Sequence, residues 1–139
     1  MPGSVVLDAS VAAKLYFTED LSDLAEAAVR AADFLIAPDL LFIELASVAA
    51  KQVRRGVTTA DRGASAMDLM CGLLDEAAPL EGLAKRAFEL AQRHGVSAYD
   101  GAYLALAEER GLQVLTADVR LVRRAEVEGL SHLVRPLGS

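Results

Sequence analysis

The sequence predicts an α/β fold built on a parallel β-sheet, and three observations carry that expectation. Short apolar runs rich in β-branched residues alternate along the chain with longer stretches of helical period, the pattern that βαβ units produce. Glycine follows cations at three helical ends: Gly56 after Arg54-Arg55, Gly95 after Arg93-His94 and Gly111 after Arg110. Hydrophobic residues make up 53% of the 139, with no linker, internal repeat or low-complexity stretch between them. One domain over residues 1–139 is expected, large enough to bury about two-thirds of the surface its unfolded chain exposes.

Val5-Val6-Leu7 is the first expected strand, too short for a helix and bounded by polar residues. Helical patterns over Val11–Tyr16 and Leu21–Ala32 precede a second strand, Phe34-Leu35-Ile36. Pro38-Asp39 opens a third helical pattern, Leu40–Arg55, where the missing proline N–H does little harm, and a fourth covers Thr59–Leu74. A strand is expected around Ala77–Leu80, but Pro79 restricts it to an edge or a loop. Helical patterns at Leu83–Arg93 and Tyr99–Arg110 lead to a strand at Val114-Leu115. A last helical pattern, Val119–Val127, precedes a weaker strand at Leu133-Val134.

Composition removes several classes of function. The single cysteine, Cys71, closes no intramolecular bridge and builds no zinc site; it reads as an inert buried residue, and the cytoplasm is the expected compartment. No uncharged run exceeds seven residues, against the roughly 20 apolar residues that span a bilayer, so no membrane is expected. Asp8 interrupts the N-terminal apolar run and no basic segment precedes it, so Met1 onward reads as mature protein. A net charge of −6 opposes simple electrostatic binding of nucleic acid. His94 and His132 lie far apart with no ligand spacing, and neither G-x-G-x-x-G nor G-x-x-x-x-G-K-[ST] is present.

The acids are informative by position. Asp8 ends the first strand and Asp118 closes the run Val114-Leu115-Thr116-Ala117-Asp118, which places both at the carboxyl edge of a parallel sheet, where open α/β sheets bind ligands. Each is equally suited to a local turn or helix cap. Asp100 follows Ser97 by three residues in a capping box, at a helix N-terminus that also favours a phosphate. Glu44 projects from the apolar stripe of Leu40, Leu41 and Val48, so it either reaches solvent at the stripe's edge or meets a positive partner. Lys14 and Lys51 are the nearest candidates for that partner.

Two carboxylates at ~4 Å repel by about 4 kcal/mol at an effective dielectric of 20. A divalent cation removes that conflict. An all-oxygen set selects a hard ion, Mg²⁺ or Mn²⁺, and such an ion points to phosphodiester hydrolysis. Ser10 and Thr116 each stand two residues from an acid, within reach of a carboxylate or a water on the ion.

Together the segments Val6-Leu7-Asp8-Ala9-Ser10-Val11-Ala12, Pro38-Asp39-Leu40 leading to Glu44 and Arg54-Arg55-Gly56, Tyr99-Asp100-Gly101-Ala102-Tyr103-Leu104-Ala105-Leu106-Ala107 and Leu115-Thr116-Ala117-Asp118-Val119-Arg120-Leu121 resemble a PIN domain. Within that family the chain is similar to the VapC-type toxin ribonucleases of toxin–antitoxin pairs, from Val5 to about Arg135. The resemblance implies a three-layer α/β/α sandwich with a central parallel sheet and a Mg²⁺- or Mn²⁺-dependent endoribonuclease. It implies Asp8 and Asp100 as the chief metal ligands, Asp118 as a direct or water-mediated one, and Glu44 as a water-mediated ligand or water-orienting group. Ser10 and Thr116 match the accessory hydroxyls. Gly101 departs from the pattern, since an alanine or other small residue is more usual there.

The resemblance also implies a homodimer and a small antitoxin whose C-terminal segment lies across the acidic groove. The Ala64–Leu74 stretch offers an apolar face for such contacts, or simply packs into the core. RNA must reach an acidic site, and Arg54 with Arg55, or Arg120, Arg123 and Arg124, are the candidate basic rims. Tyr16 and Phe17 are expected in the core before any base-stacking role. Two other classes compete: a catalytically silent binding module of the same fold, and a phosphoacceptor receiver domain, which lacks here its strand-end lysine.

Overall fold

The computed structural model describes residues 3–17 and 21–139. Its five strands are β1 (Ser4–Leu7), β2 (Phe34–Pro38), β3 (Glu76–Ala78), β4 (Val114–Thr116) and β5 (Val134–Pro136). They form one sheet in the order β3-β2-β1-β4-β5, and every neighbouring pair is parallel. The helices are α1 (Ala9–Tyr16), α2 (Ser22–Ala31), α3 (Leu40–Arg54), α4 (Ala60–Cys71), α5 (Ala84–His94), α6 (Ala98–Arg110) and α7 (Val119–Glu128).

The strand order dictates the layers. From β1 the chain steps outward to β2 and β3, then returns to the other side of β1 for β4 and β5. Right-handed crossovers place α1 to α4 on one face and α5 to α7 on the other, which is a three-layer α/β/α sandwich. β1 is covered on both faces, with Val5, Val6 and Leu7 all buried. The direction of winding reverses between β1 and β4, so the crevice of the fold opens at the carboxyl ends of these two strands.

Most expected boundaries hold within two residues. Pro79 acts as anticipated: β3 stops at Ala78 and lies at the sheet edge. Pro38 closes β2 rather than opening α3, at a strand end where its missing donor costs least. The three helix-ending glycines, Gly56, Gly95 and Gly111, all take left-handed φ angles of 72°, 70° and 65°. α4 stops at Cys71, three residues short of Leu74, with Gly72 as its C-cap. Cys71, off the face of α4 that buries Gly63, Ala66 and Met70, is exposed, which corrects the burial expected of it.

α6 is the central helix. Gly101 through Ala107 are buried without interruption, between the sheet and α5. The fit with α5 requires glycine at the departure noted above: a Cβ on Gly101 would lie 2.6 Å from the Ala87 carbonyl oxygen. At the far ends of α5 and α7, His94 Nδ1 lies 3.1 Å from Glu128 Oε1 and ties the two helices together. Phe17 is buried and Tyr16 is half-buried against the core, as expected of them. No helix among the described residues is long and apolar enough to cross a membrane.

Candidate active site

β1 delivers Asp8 directly into α1, whose N-cap it forms. One carboxylate oxygen, Oδ2, takes the Ser10 N–H at 3.4 Å, the Thr116 hydroxyl at 2.9 Å and the Ser10 hydroxyl. The direction of the hydroxyls follows from their other bonds. Ser10 Oγ accepts the Ala117 N–H at 2.9 Å and Thr116 Oγ1 accepts the Asp118 N–H at 3.0 Å, so both hydroxyl protons are turned to Asp8. Among the described residues no donor reaches Oδ1. β1, α1 and the β4–α7 turn are thereby locked around one buried carboxylate, 7% exposed.

Asp118 caps α7 with Oδ1, which accepts the Arg120 and Leu121 N–H groups at 2.9 and 3.4 Å. Asp100 stands in the first turn of α6, and Ser97 Oγ accepts its N–H at 3.0 Å, the cap expected from the sequence. Asp8 and Asp118 each cap the helix that follows them, while Asp100 lies in the first turn of a helix that Ser97 caps. Glu44 lies on the second turn of α3, half-buried, and its Oε1 accepts the Tyr103 hydroxyl at 2.6 Å. The protein partner is thus a neutral phenol and not a lysine, while the side chain still reaches an open cleft. Sequence reasoning looks for a charge opposite Glu44 and takes Tyr103 for core; the signal that could have found the pair is the place of Tyr103 three residues after Asp100, on the same face of α6.

The four acids share one electrostatic field. Burial raises the pKa of Asp8, opposed by the Ser10 and Thr116 bonds, and Asp118 adds to the rise. Burial also raises Glu44, opposed by Tyr103, with Asp8 and Asp100 contributing. Asp100 is pushed up to about 6, by burial first and then by Asp8 and Asp118, against Ser97 and Arg120. Among the described residues none of the four carboxylates makes an ion pair. The repulsion inferred from sequence is therefore present without an ion pair to relieve it, and Arg120 offsets only part of it at Asp100.

Two clefts flank the acids. A 580 Å³ cleft is lined by Asp100, Asp118, Ser97, Arg120, Arg123 and Arg124, among others. A second, of 390 Å³, is lined by Ser10, Glu44, Lys14 and Ser47. The α7 arginines therefore border the acids. Arg54 and Arg55 do not: they are exposed at the end of α3, about 15 Å along the helix from Glu44. Lys51, exposed two turns beyond Glu44, is not its partner either.

The donor set is carboxylate and hydroxyl oxygen, without thiol or imidazole, and so fits a hard dication. As placed, no three His, Cys, Asp or Glu side chains among the described residues approach closely enough to grip one ion by themselves. An ion held by so few of these carboxylates would keep water in its shell.

The PIN-domain family model matches residues 5–127, which include all four acids and both hydroxyls. The chain belongs to the PIN-domain family. It is 38% identical to Ribonuclease VapC3 of Pyrobaculum aerophilum over 123 residues, covering 86% of this chain and 93% of that protein. Among solved PIN-like folds it superimposes on PAE2754 from Pyrobaculum aerophilum with a TM-score of 0.69 at 18% identity, covering 99% of this chain and 91% of that one. A toxin–antitoxin complex from Klebsiella pneumoniae gives a TM-score of 0.65 at 15% identity, covering 85% of this chain and 89% of its counterpart. At those identities the two structures speak for the PIN fold alone. The sheet edge that carries Asp8 and Asp118 in this PIN domain is the ligand edge of the fold class.

Proposed function

We propose that this chain is a VapC-type endoribonuclease, the toxin of a type II toxin–antitoxin pair, dependent on Mg²⁺ or Mn²⁺. What supports this reading most is the position of Asp8 and Asp118 at the switch point of the sheet, with Asp100 and Glu44 near enough that burial and their mutual charges raise Asp8, Glu44 and Asp100 together. The likeness to Ribonuclease VapC3 supports the same chemistry.

The dication, when bound, supplies a Lewis acid that acidifies water and offsets charge developing on the phosphate. Asp8 and Asp100 are its chief holders in this reading, Asp118 holds it directly or through water, and Glu44 acts through water or orients the attacking water. Ser10 and Thr116 fix Asp8 and oppose the rise that burial imposes on its pKa. Arg120, Arg123 and Arg124 receive phosphates of the RNA strand in the 580 Å³ cleft, next to the acids. Arg54 and Arg55 lie too far off to touch the scissile phosphate and contact the strand only at a distance.

The partner in this reading is a small antitoxin. Its basic C-terminal segment complements the acidic pocket, and the chain pairs with a second copy as a homodimer. Such a reaction belongs in the cytoplasm, where RNA is met. The test is direct. Purified protein is incubated with RNA in Mg²⁺ or Mn²⁺, and internal cleavage is expected to vanish with EDTA and in folded Asp8→Asn or Asp100→Asn protein. Unchanged cleavage in those variants overturns the assignment.

A further inference from the structure

We infer that Tyr103 is a positioning residue that sets Glu44 relative to Asp8 and Asp100, an inference that rests on the ribonuclease reading of the same pocket. Tyr103 is 0% exposed, in the middle of α6. Its hydroxyl donates to Glu44 Oε1 at 2.6 Å, across from α6 to α3. A single phenol thus joins two helices that each carry an acid: α3 with Glu44, and α6 with Asp100 one turn earlier.

The bond has a directional consequence. A phenol has one proton and an ionised carboxylate oxygen only accepts, so that proton belongs to Glu44. The carboxylate is held by one oxygen while the other remains for the pocket. Without the bond, Glu44 would keep its place on α3 but lose its rotational setting, and a charge surrounded by Asp8 and Asp100 turns away from them. A cation at this position would also hold Glu44, yet it would neutralise the pocket that must attract a metal ion. The phenol fixes the carboxylate and leaves the charge intact.

The test is a cycle of Tyr103→Phe and Glu44→Gln, singly and together, in the full chain. Tyr103→Phe keeps the ring in the core. It is expected to weaken Mn²⁺ binding, read by calorimetry, or kcat with KM for RNA unchanged, on the order of 10- to 100-fold, as loss of an outer partner to a metal ligand does. Added to Glu44→Gln, it is expected to change neither quantity by more than about twofold, because it acts through Glu44. Equal losses in both backgrounds, or no loss in either, overturn the inference. Should Tyr103→Phe not fold, the wild-type chain still decides: NMR is expected to show a Tyr103 hydroxyl proton protected from exchange, and its protection is expected to disappear in Glu44→Ala. A freely exchanging hydroxyl overturns the inference. Because Mn²⁺ affinity and the hydroxyl proton are read without RNA, a chain that cleaves no RNA condemns the ribonuclease reading separately.

Discussion

Thr116 donates its hydroxyl to Asp8 Oδ2 at 2.9 Å while accepting the Asp118 N–H at 3.0 Å, so one fully buried side chain joins the acids at the ends of β1 and β4. Thr116→Val has nearly the same shape but removes both bonds. It leaves a buried carboxylate short of a donor and a backbone N–H short of an acceptor, a loss of about 1–3 kcal/mol in stability. RNA cleavage is expected to fall on the order of 10- to 100-fold. Thr116→Ser, which keeps the hydroxyl, should retain most of the activity. Denaturant unfolding and a cleavage assay on the two variants separate the hydroxyl's role from that of the methyl group.

Asp100 gives a pH dependence with a definite sign. Its carboxyl is raised from 3.8 to about 6 in the folded chain, so the folded state holds a proton that the unfolded state has already lost. The metal-free protein should therefore lose stability as pH rises from about 4 to about 6 and change little above that. After allowance for partial exposure, the effect is on the order of 1–2 kcal/mol. Burial shifts Asp8 and Glu44 in the same direction. Urea unfolding in EDTA at pH 5 and pH 7.5 measures the slope. Asp100→Asn is expected to flatten it and to stabilise the metal-free protein at pH 7.5 while abolishing cleavage.

Gly101 lies against the backbone of Ala87, where a Cβ would meet the carbonyl oxygen at 2.6 Å. Alanine gains up to about 1 kcal/mol of helix propensity. The clash forces α6 and α5 apart and costs about 1–3 kcal/mol, so Gly101→Ala is expected to lower the unfolding midpoint. Because α6 carries Asp100 and Tyr103, cleavage should fall with it. A variant more stable than the wild type would show that the helices have room to separate.

The two basic clusters should differ. Arg123 and Arg124 line the cleft that holds Asp100 and Asp118, whereas Arg54 and Arg55 stand about 15 Å along α3 from Glu44. Arg123→Ala with Arg124→Ala is expected to raise KM for RNA, leave kcat unchanged, and reduce the salt dependence of binding by about 0.7 in log–log slope for each RNA phosphate that is no longer neutralised. Arg54→Ala with Arg55→Ala should have the smaller effect in the same binding series.

Much of this organisation is legible in the sequence because it is local. Apolar runs mark the strands, Pro79 marks an edge, and Ser97 announces the cap beside Asp100. The parallel topology alone places Asp8 and Asp118 at one sheet edge. What is not legible depends on residues distant along the chain. Glu44 finds its partner 59 residues away, and a tyrosine inside the apolar run Ala102–Ala107 carries no mark of a polar task. Gly101 reads as a weak point of a helix until its approach to Ala87 is visible. Cys71 departs from the burial expected of it because the buried face of α4 runs through Gly63, Ala66 and Met70, and Cys71 stands off that face.

The central claim is that one pocket of carboxylates is held in mutual repulsion until a hard cation enters it. Calorimetric titration of the purified chain with Mn²⁺ tests this most directly. Binding at millimolar or tighter affinity is expected, weakening as pH falls below about 6 while Asp100 takes up its proton, and lost in Asp8→Asn and Asp100→Asn. A folded wild-type chain that takes up no Mn²⁺, or binds it equally well without Asp8 and Asp100, would contradict the account.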